Sequence, residues 1–189
     1  MVDYKSPTLL LKTFNLNIGD RVVIYLPMGI EAVVSMLACS RIGLTHSVVF
    51  GGFSAKSIQE RIKDAKAKLA ITSDIQYRGG KILPLKAAVD EALNLGGSES
   101  IINTVILKKS KDTVALKFKE TWWHDLIKNQ STDCDPVYVN AEHPLFLLYT
   151  SGSTGKPKGV VHSTAGYMVY AEYSFRNVFQ YEQGDLFWC

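Results

Sequence analysis

The chain has 189 residues, of which 47% are hydrophobic and 21% charged, a balance that suits an ordinary globular protein with a real core and leaves little room for long disordered tracts. Its formal net charge of +3 comes from Lys and Arg dispersed among acids, which argues against nucleic acid or a membrane surface as a partner, and no apolar stretch is long enough to cross a bilayer. Cys39, Cys134 and Cys189 form neither a paired framework nor a metal-type motif, so a reducing, cytoplasmic setting is expected; the first residues carry no secretory pattern.

In chain order, Ile18-Gly19-Asp20 reads as a turn that delivers the chain into residues 21 to 26, an apolar run of the kind buried on both faces of a sheet. Apolar residues then recur at helical spacing at Ile30, Val33, Val34, Leu37, Ala38 and Ile42, and Gly43 stands where a helix stop belongs. Residues 47 to 50 are the next apolar strand, so 21 to 50 make a strand, helix, strand unit whose crossover should be right-handed. Ser54 is a candidate helix cap and Ser57-x-x-Glu60 a second one, with Ile58, Ile62 and Ala65 on one face. A strand over 69 to 72, a helix carrying Leu85, Ala88, Val89 and Ala92, and a strand over 104 to 107 follow. This alternation predicts an α/β fold with a parallel sheet flanked by helices.

Residues 108 to 140 are less regular, with a lysine-rich stretch from Lys108 to Lys111 that reads as a solvated face and a short helix expected near 122 to 127. Residues 145 to 149 are a strong strand, followed by a glycine-, hydroxyl- and lysine-rich loop, then Val160-Val161 and a helix starting near Ser163. From Asp185 to Cys189 the chain reads as entering a further strand, which is how a piece of a larger protein would end.

The chemistry sits in Tyr149-Thr150-Ser151-Gly152-Ser153-Thr154-Gly155-Lys156-Pro157-Lys158-Gly159. Glycine lets the backbone approach an oxyanion, successive N–H groups make an anion nest, hydroxyls add donors and lysines neutralise charge. A plain surface turn uses many of the same residues, but has no need of two lysines and a run of hydroxyls at the mouth of a parallel sheet. A Walker-type loop needs wider glycine spacing and Ser or Thr after its lysine; here Gly152 and Gly155 are separated by two residues and Pro157 follows Lys156.

Residues 149 to 159 resemble the signature phosphate loop of adenylate-forming enzymes, Tyr-Thr-Ser-Gly-Ser/Thr-Thr-Gly-x-Pro-Lys-Gly, at every specified position. Residues 25 to 28, 38 to 43 and 46 to 54 resemble the acyl-CoA synthetases of that superfamily, its acetyl-CoA and propionyl-CoA branches more than others, so the resemblance covers essentially the whole chain. It implies that residues 1–189 are an incomplete part of the large amino-terminal AMP-binding domain. It also implies a reaction of ATP with a short carboxylate, acetate or propionate, to an acyl-adenylate and pyrophosphate, followed by acyl transfer to coenzyme A.

By the same resemblance Thr150, Ser151, Gly152, Ser153, Thr154, Gly155 and Lys156 would hold the outer phosphates of ATP, and Lys158 would act in catalysis on the departing pyrophosphate. Arg78-Gly79-Gly80-Lys81 aligns with a segment that grips the phosphorylated adenosine end of coenzyme A, usually with arginine at both ends; Lys81 replaces the second, keeping the charge but not the bidentate fork. Gly51 and Gly52 resemble a nearby CoA-contacting turn, and a tight strand-to-helix turn explains them equally. Mg2+ is implied by the triphosphate, with no protein ligand evident in this chain. The family's ribose-binding aspartate, most of its acyl pocket and its mobile lid lie beyond this segment, so the isolated chain is expected to perform neither half-reaction. A free-standing nucleotide- or CoA-binding module is the rival reading.

Several conspicuous residues are expected to be structural. Trp122 and Trp123 read as packing anchors, His124 and His143 as surface or loop residues, and Cys39 as inert core. His46 has no evident partner, and His162 is either close support for the phosphate loop or a structural residue.

Overall fold

A computed structural model describes residues 13–128, 133–150 and 157–187. In chain order the elements are β1 (Arg21–Tyr25), α1 (Ile30–Arg41), β2 (Thr45–Val48), α2 (Ala55–Ala65), β3 (Leu69–Ser73), β4 (Gln76–Arg78) and β5 (Lys81–Leu83). They continue with α3 (Leu85–Asn94), β6 (Asn103–Leu107), β7 (Glu120–Trp122), α4 (Trp123–Ile127), β8 (Pro144–Thr150), β9 (Lys158–Ser163) and α5 (Thr164–Asn177). The main sheet runs β7-β6-β3-β1-β2-β8-β9, parallel throughout except for β9, which is antiparallel to β8. β4 and β5 form a separate hairpin. The expected α/β class, a parallel sheet flanked by helices, is what the chain adopts.

β1 lies between β2 and β3, and its side chains alternate between two cores. Val22 and Ile24 enter one with Leu44, Leu69, Ile71, Ala38 and Cys39, where α1 closes the layer. Val23 and Tyr25 enter the other with Ile58, Ile62, Leu85 and Val89, where α2 and α3 close it. From β1 to β2 the chain steps one way across the sheet over one face; from β2 to β3 it steps back past β1 over the other. Reversing both step and face gives the two crossovers the same hand.

Boundaries follow local chemistry. Ser54 caps α2, its hydroxyl accepting from the Ser57 N–H at 3.3 Å, so of the two candidate caps the first is used. After α1, Gly43 takes a φ of +71°, and an added Cβ would stand 3.2 Å from both Ile18 and Val139, so the helix stop needs glycine for conformation and for space. β2 begins and ends two residues earlier than expected, and the Val49 N–H still donates to the Ile24 carbonyl of β1 at 2.8 Å before the glycine turn that follows.

The expected core stripe of α1 is rotated. Ala32, Ser35, Ala38 and Cys39 face the sheet, whereas Ile30, Val33 and Leu37 are exposed, Leu37 by 64%. Small side chains let the helix axis approach the strands closely, and the large apolar ones are left on the far side. β7 precedes the short helix expected near 122 to 127, and the β4–β5 hairpin was not expected at all. β8 is half-buried, not a fully buried strand, and among the described residues 185 to 187 form no strand: Asp185 closes a turn with Glu182.

Two polar clusters fasten the far half of the sheet. Lys86 donates to Asp90 at 3.0 Å and Glu120 at 2.9 Å, tying α3 to edge strand β7. The buried carboxylate of Asp74, just after β3, accepts from the N–H groups of Ile75, Lys109 and Ser110 and from the Ser110 hydroxyl at 2.6–3.0 Å, joining the ends of β3 and β6. Burial alone would raise its pKa, but these donors, Ser110 foremost, outweigh it and hold the carboxyl below its usual range. A depressed folded pKa contributes stability that is present above the unfolded pKa and lost as pH falls through the folded one. Asp74→Asn should therefore destabilise the chain by about 2 kcal/mol near neutrality. Denaturant unfolding as a function of pH checks this: the gap between parent and variant should narrow as pH falls below about 4.

Candidate functional site

The doubly buried β1 dictates where a ligand can sit. The connection leaving β1 runs over one face toward β2 and the one leaving the neighbouring β3 runs over the other toward β6, so a crevice opens at the carboxyl ends of β1 and β3, the usual ligand position in an open α/β sheet. β8 is parallel to β2, with His46 opposite Phe146, so Tyr149 and Thr150 finish at this same edge.

Past Val49, the Phe50-Gly51-Gly52-Phe53 turn is pinned by Tyr25, the last residue of β1. The Tyr25 hydroxyl donates to the Phe53 carbonyl at 3.0 Å and accepts from the Gly52 N–H at 3.1 Å. Burial pushes this phenol's pKa up, and the Gly52 N–H works against the shift. Gly52 is required by its backbone, whereas Gly51 packs against the movable amide of Gln76. Gly52 has a φ of +104°, and a Cβ on Gly51 would lie 2.2 Å from the Gln76 amide oxygen, a buried atom without a hydrogen-bond partner.

The expected basic segment is the tip of the β4–β5 hairpin. Arg78 and Lys81 pair across it, and Gly79 and Gly80 take φ values of +55° and +73°, as a two-residue hairpin turn with left-handed conformation at both positions demands. Arg78 donates to the Gly51 carbonyl at 3.1 Å and lies over Phe50 at 4.7 Å. The hairpin thus seats on the glycine turn, and Arg78, Gly79, Gly80, Lys81 and Gly52 are brought to one place.

Of the phosphate-loop positions, Ser151, Gly152, Ser153, Thr154, Gly155 and Lys156 lie outside the described residues. Thr150 and Lys158 face each other in the β8–β9 ladder. Next to them the Tyr149 ring covers Gly159, where a Cβ would lie 3.0 Å from it. The Tyr149 hydroxyl donates to Asp64 of α2 at 2.6 Å, and the Arg61 guanidinium lies over both Tyr149, at 5.3 Å, and Phe53, at 5.0 Å. Burial raises the Tyr149 phenol pKa and the bond to Asp64 adds to it; burial lowers that of Arg61. A cleft of about 510 Å³ opens here between Glu60, Arg61, Asp64 and Tyr149.

Arg61 and Asp64 were not singled out from sequence, although a signal was present: Arg61 falls inside the buried stripe Ile58, Ile62 and Ala65, and a charge there needs a partner. The residues expected to be structural behave so. Cys39 and Trp123 are buried, and burial raises the Cys39 thiol pKa, keeping it protonated. His162 stacks on Phe146 at 4.4 Å, away from the loop, and burial lowers the His46 pKa to about 4, holding it neutral beside the same ring. His143 is bound to the Gly43 carbonyl at 3.0 Å. Tyr25→Phe should cost about 1–2 kcal/mol, since it removes two part-buried hydrogen bonds at once. Hydrogen exchange checks the location, with the Gly52 amide losing protection ahead of amides in β3.

Residues 9–189 match the model of the AMP-binding enzyme family. The chain is similar to the acetyl-coenzyme A synthetases of Nitrosomonas europaea, 56% identical, and of Methylobacillus flagellatus, 55% identical, in both cases over 180 residues that make up 95% of this chain and 28% of the relative. A third such protein, from Pasteurella multocida, is 55% identical over 95% of this chain and 27% of its own length. The chain spans little more than a quarter of the curated relatives it matches. With an unbroken match over nearly all of its residues, the chain belongs to the AMP-binding enzyme family.

Proposed function

We propose that the chain is the part of an AMP-forming acetate–CoA ligase that grips the outer phosphates of ATP and the phosphorylated adenosine end of coenzyme A, within the enzyme's large amino-terminal domain. The observation that carries this reading is the handover of β8, at the sheet's carboxyl edge, to the hydroxyl- and lysine-rich segment whose form is that of the family's phosphate loop. The names of the relatives favour acetate over propionate. The free thiols of Cys39 and Cys134 fit a reducing compartment such as the cytoplasm.

In the first half-reaction an acetate oxygen attacks the α-phosphorus of ATP, and the bond to the β-phosphate breaks with its electron pair leaving on pyrophosphate. In the second, the coenzyme A sulfur attacks the acyl carbon, its proton is lost, and AMP departs. Thr150, Ser151, Gly152, Ser153, Thr154, Gly155 and Lys156 are assigned to the β- and γ-phosphates. Lys158, fixed opposite Thr150, is assigned to the charge that gathers on the leaving group, where a preorganised donor lowers the barrier as well as binding. Arg78, Gly79, Gly80, Lys81 and Gly52 are assigned to coenzyme A. Arg78 already spends one donor on Gly51, so in this reading it shapes the turn and Lys81, exposed at the hairpin tip, supplies free charge. Among the described residues no group of His, Cys, Asp and Glu could hold a metal, and Mg2+ is assigned to the triphosphate alone.

A chimera tests this directly: the chain replaces the 180 matched residues of the Nitrosomonas europaea relative, and acetate-dependent ATP–pyrophosphate exchange is measured. The chimera should exchange, and Lys158→Ala in it should lower the rate by roughly 10²–10³, the effect of deleting one oxyanion donor. An unchanged rate would remove the role given to Lys158. The isolated chain should show no exchange, and activity there would refute the division of labour.

A further inference from the structure

Resting on the reading of residues 150 to 158 as the ATP-phosphate segment, we infer that Asp64, assisted by Arg61, is a positioning residue for the Thr150–Lys158 pair and acts on it through Tyr149. Tyr149 immediately precedes Thr150, and its ring covers Gly159, which immediately follows Lys158. One residue therefore adjoins both strands of the pair, Thr150 along the chain and Gly159 beside Lys158. Helix α2 holds that ring, with Asp64 accepting its hydroxyl at 2.6 Å and Arg61 over its face at 5.3 Å.

Arg61 is itself fixed. It is 6% exposed, donates to the Ser57 carbonyl at 2.7 Å and lies over Phe53 at 5.0 Å. Phe53 in turn belongs to the turn that Tyr25 pins. Phe53, Arg61 and Tyr149 thus form a continuous line from the glycine turn to the Thr150–Lys158 pair, and the Asp64 bond sets the angle of its last member. The Asp64 side chain is exposed, so its hydrogen bond adds little to global stability. What it does supply is a fixed placement for Thr150 and Lys158, which must be in place before a polyphosphate arrives.

The experiment is a titration of the isotope-labelled full chain with ATP, following the Thr150, Lys158 and Gly159 amides by NMR, alongside thermal unfolding. Asp64→Ala and the isosteric Tyr149→Phe should each weaken ATP binding about tenfold while the melting temperature stays within about 2 °C of the parent. Asp64→Asn retains an oxygen that can accept from the phenol and should remain within about twofold of the parent. A merely structural role would move the melting temperature and leave the affinity alone. Parent-like ATP affinity in the Ala and Phe variants overturns the inference, and so does an Asn variant as weak as Ala, which would make charge and not the hydrogen bond the cause. If ATP moves none of these amides in the unsubstituted chain, the phosphate-segment reading itself fails, and the inference falls with it.

Discussion

Burial of β1 on both faces is the constraint from which the rest follows. A strand whose successive side chains, Val22, Val23, Ile24 and Tyr25, are all withdrawn from water needs a helical layer on each side. Because sheet crossovers share one hand, two layers can be laid down only by reversing direction in the sheet, and that reversal opens the crevice at the carboxyl ends of β1 and β3. The last buried residue of the strand is also the first residue of the site. Tyr25 contributes its ring to the core and its hydroxyl to the Gly52 turn, so packing and site geometry meet in one side chain.

The backbone of the site then follows from close approach. Gly52 is glycine because its φ is left-handed and Gly159 because the Tyr149 ring lies against it, while at Gly51 only the end of the Gln76 side chain stands where a Cβ would be. These are different demands met by one residue type, and none of them concerns a ligand directly. Glycine in this region therefore serves the assembly of the edge first. Lys81 and Lys158 are both exposed at this edge.

Much of this was legible in the sequence because it depends on neighbours in the chain. Apolar runs gave β1, β3 and β6, and Ser54 gave the start of α2. What was illegible depends on neighbours in space. α1 carries large apolar residues on one face and small residues on another, and periodicity favours the large ones; the sheet takes the small ones, since Ala32, Ser35 and Ala38 allow closer packing. The Arg78-Gly79-Gly80-Lys81 segment was read for its charge, although two consecutive glycines between short extended runs are equally a hairpin signal. Asp64 was not singled out because the ring it serves is far away in sequence: Tyr149 is 85 residues from it.

The two halves of the sheet differ in how completely they are covered. Around β1, β3 and β6 nearly every apolar side chain is buried, whereas α5 buries none of its residues and Leu148, Val160 and Val161 are largely exposed. The far face of α1, with Val33 and Leu37, adds to this surface across an apolar cleft of about 520 Å³ that also borders Phe146, Tyr167 and Met168. A helix that is apolar on opposite sides, as α1 is, has the composition of one packed on both. With so little burial of their own, β8, β9 and α5 take their placement from the β8–β2 pairing and from the reach of Tyr149 to α2. The Thr150–Lys158 pair therefore sits on the less well-covered half of the sheet, where a single hydrogen-bonded ring can govern orientation in a way it could not inside a packed core.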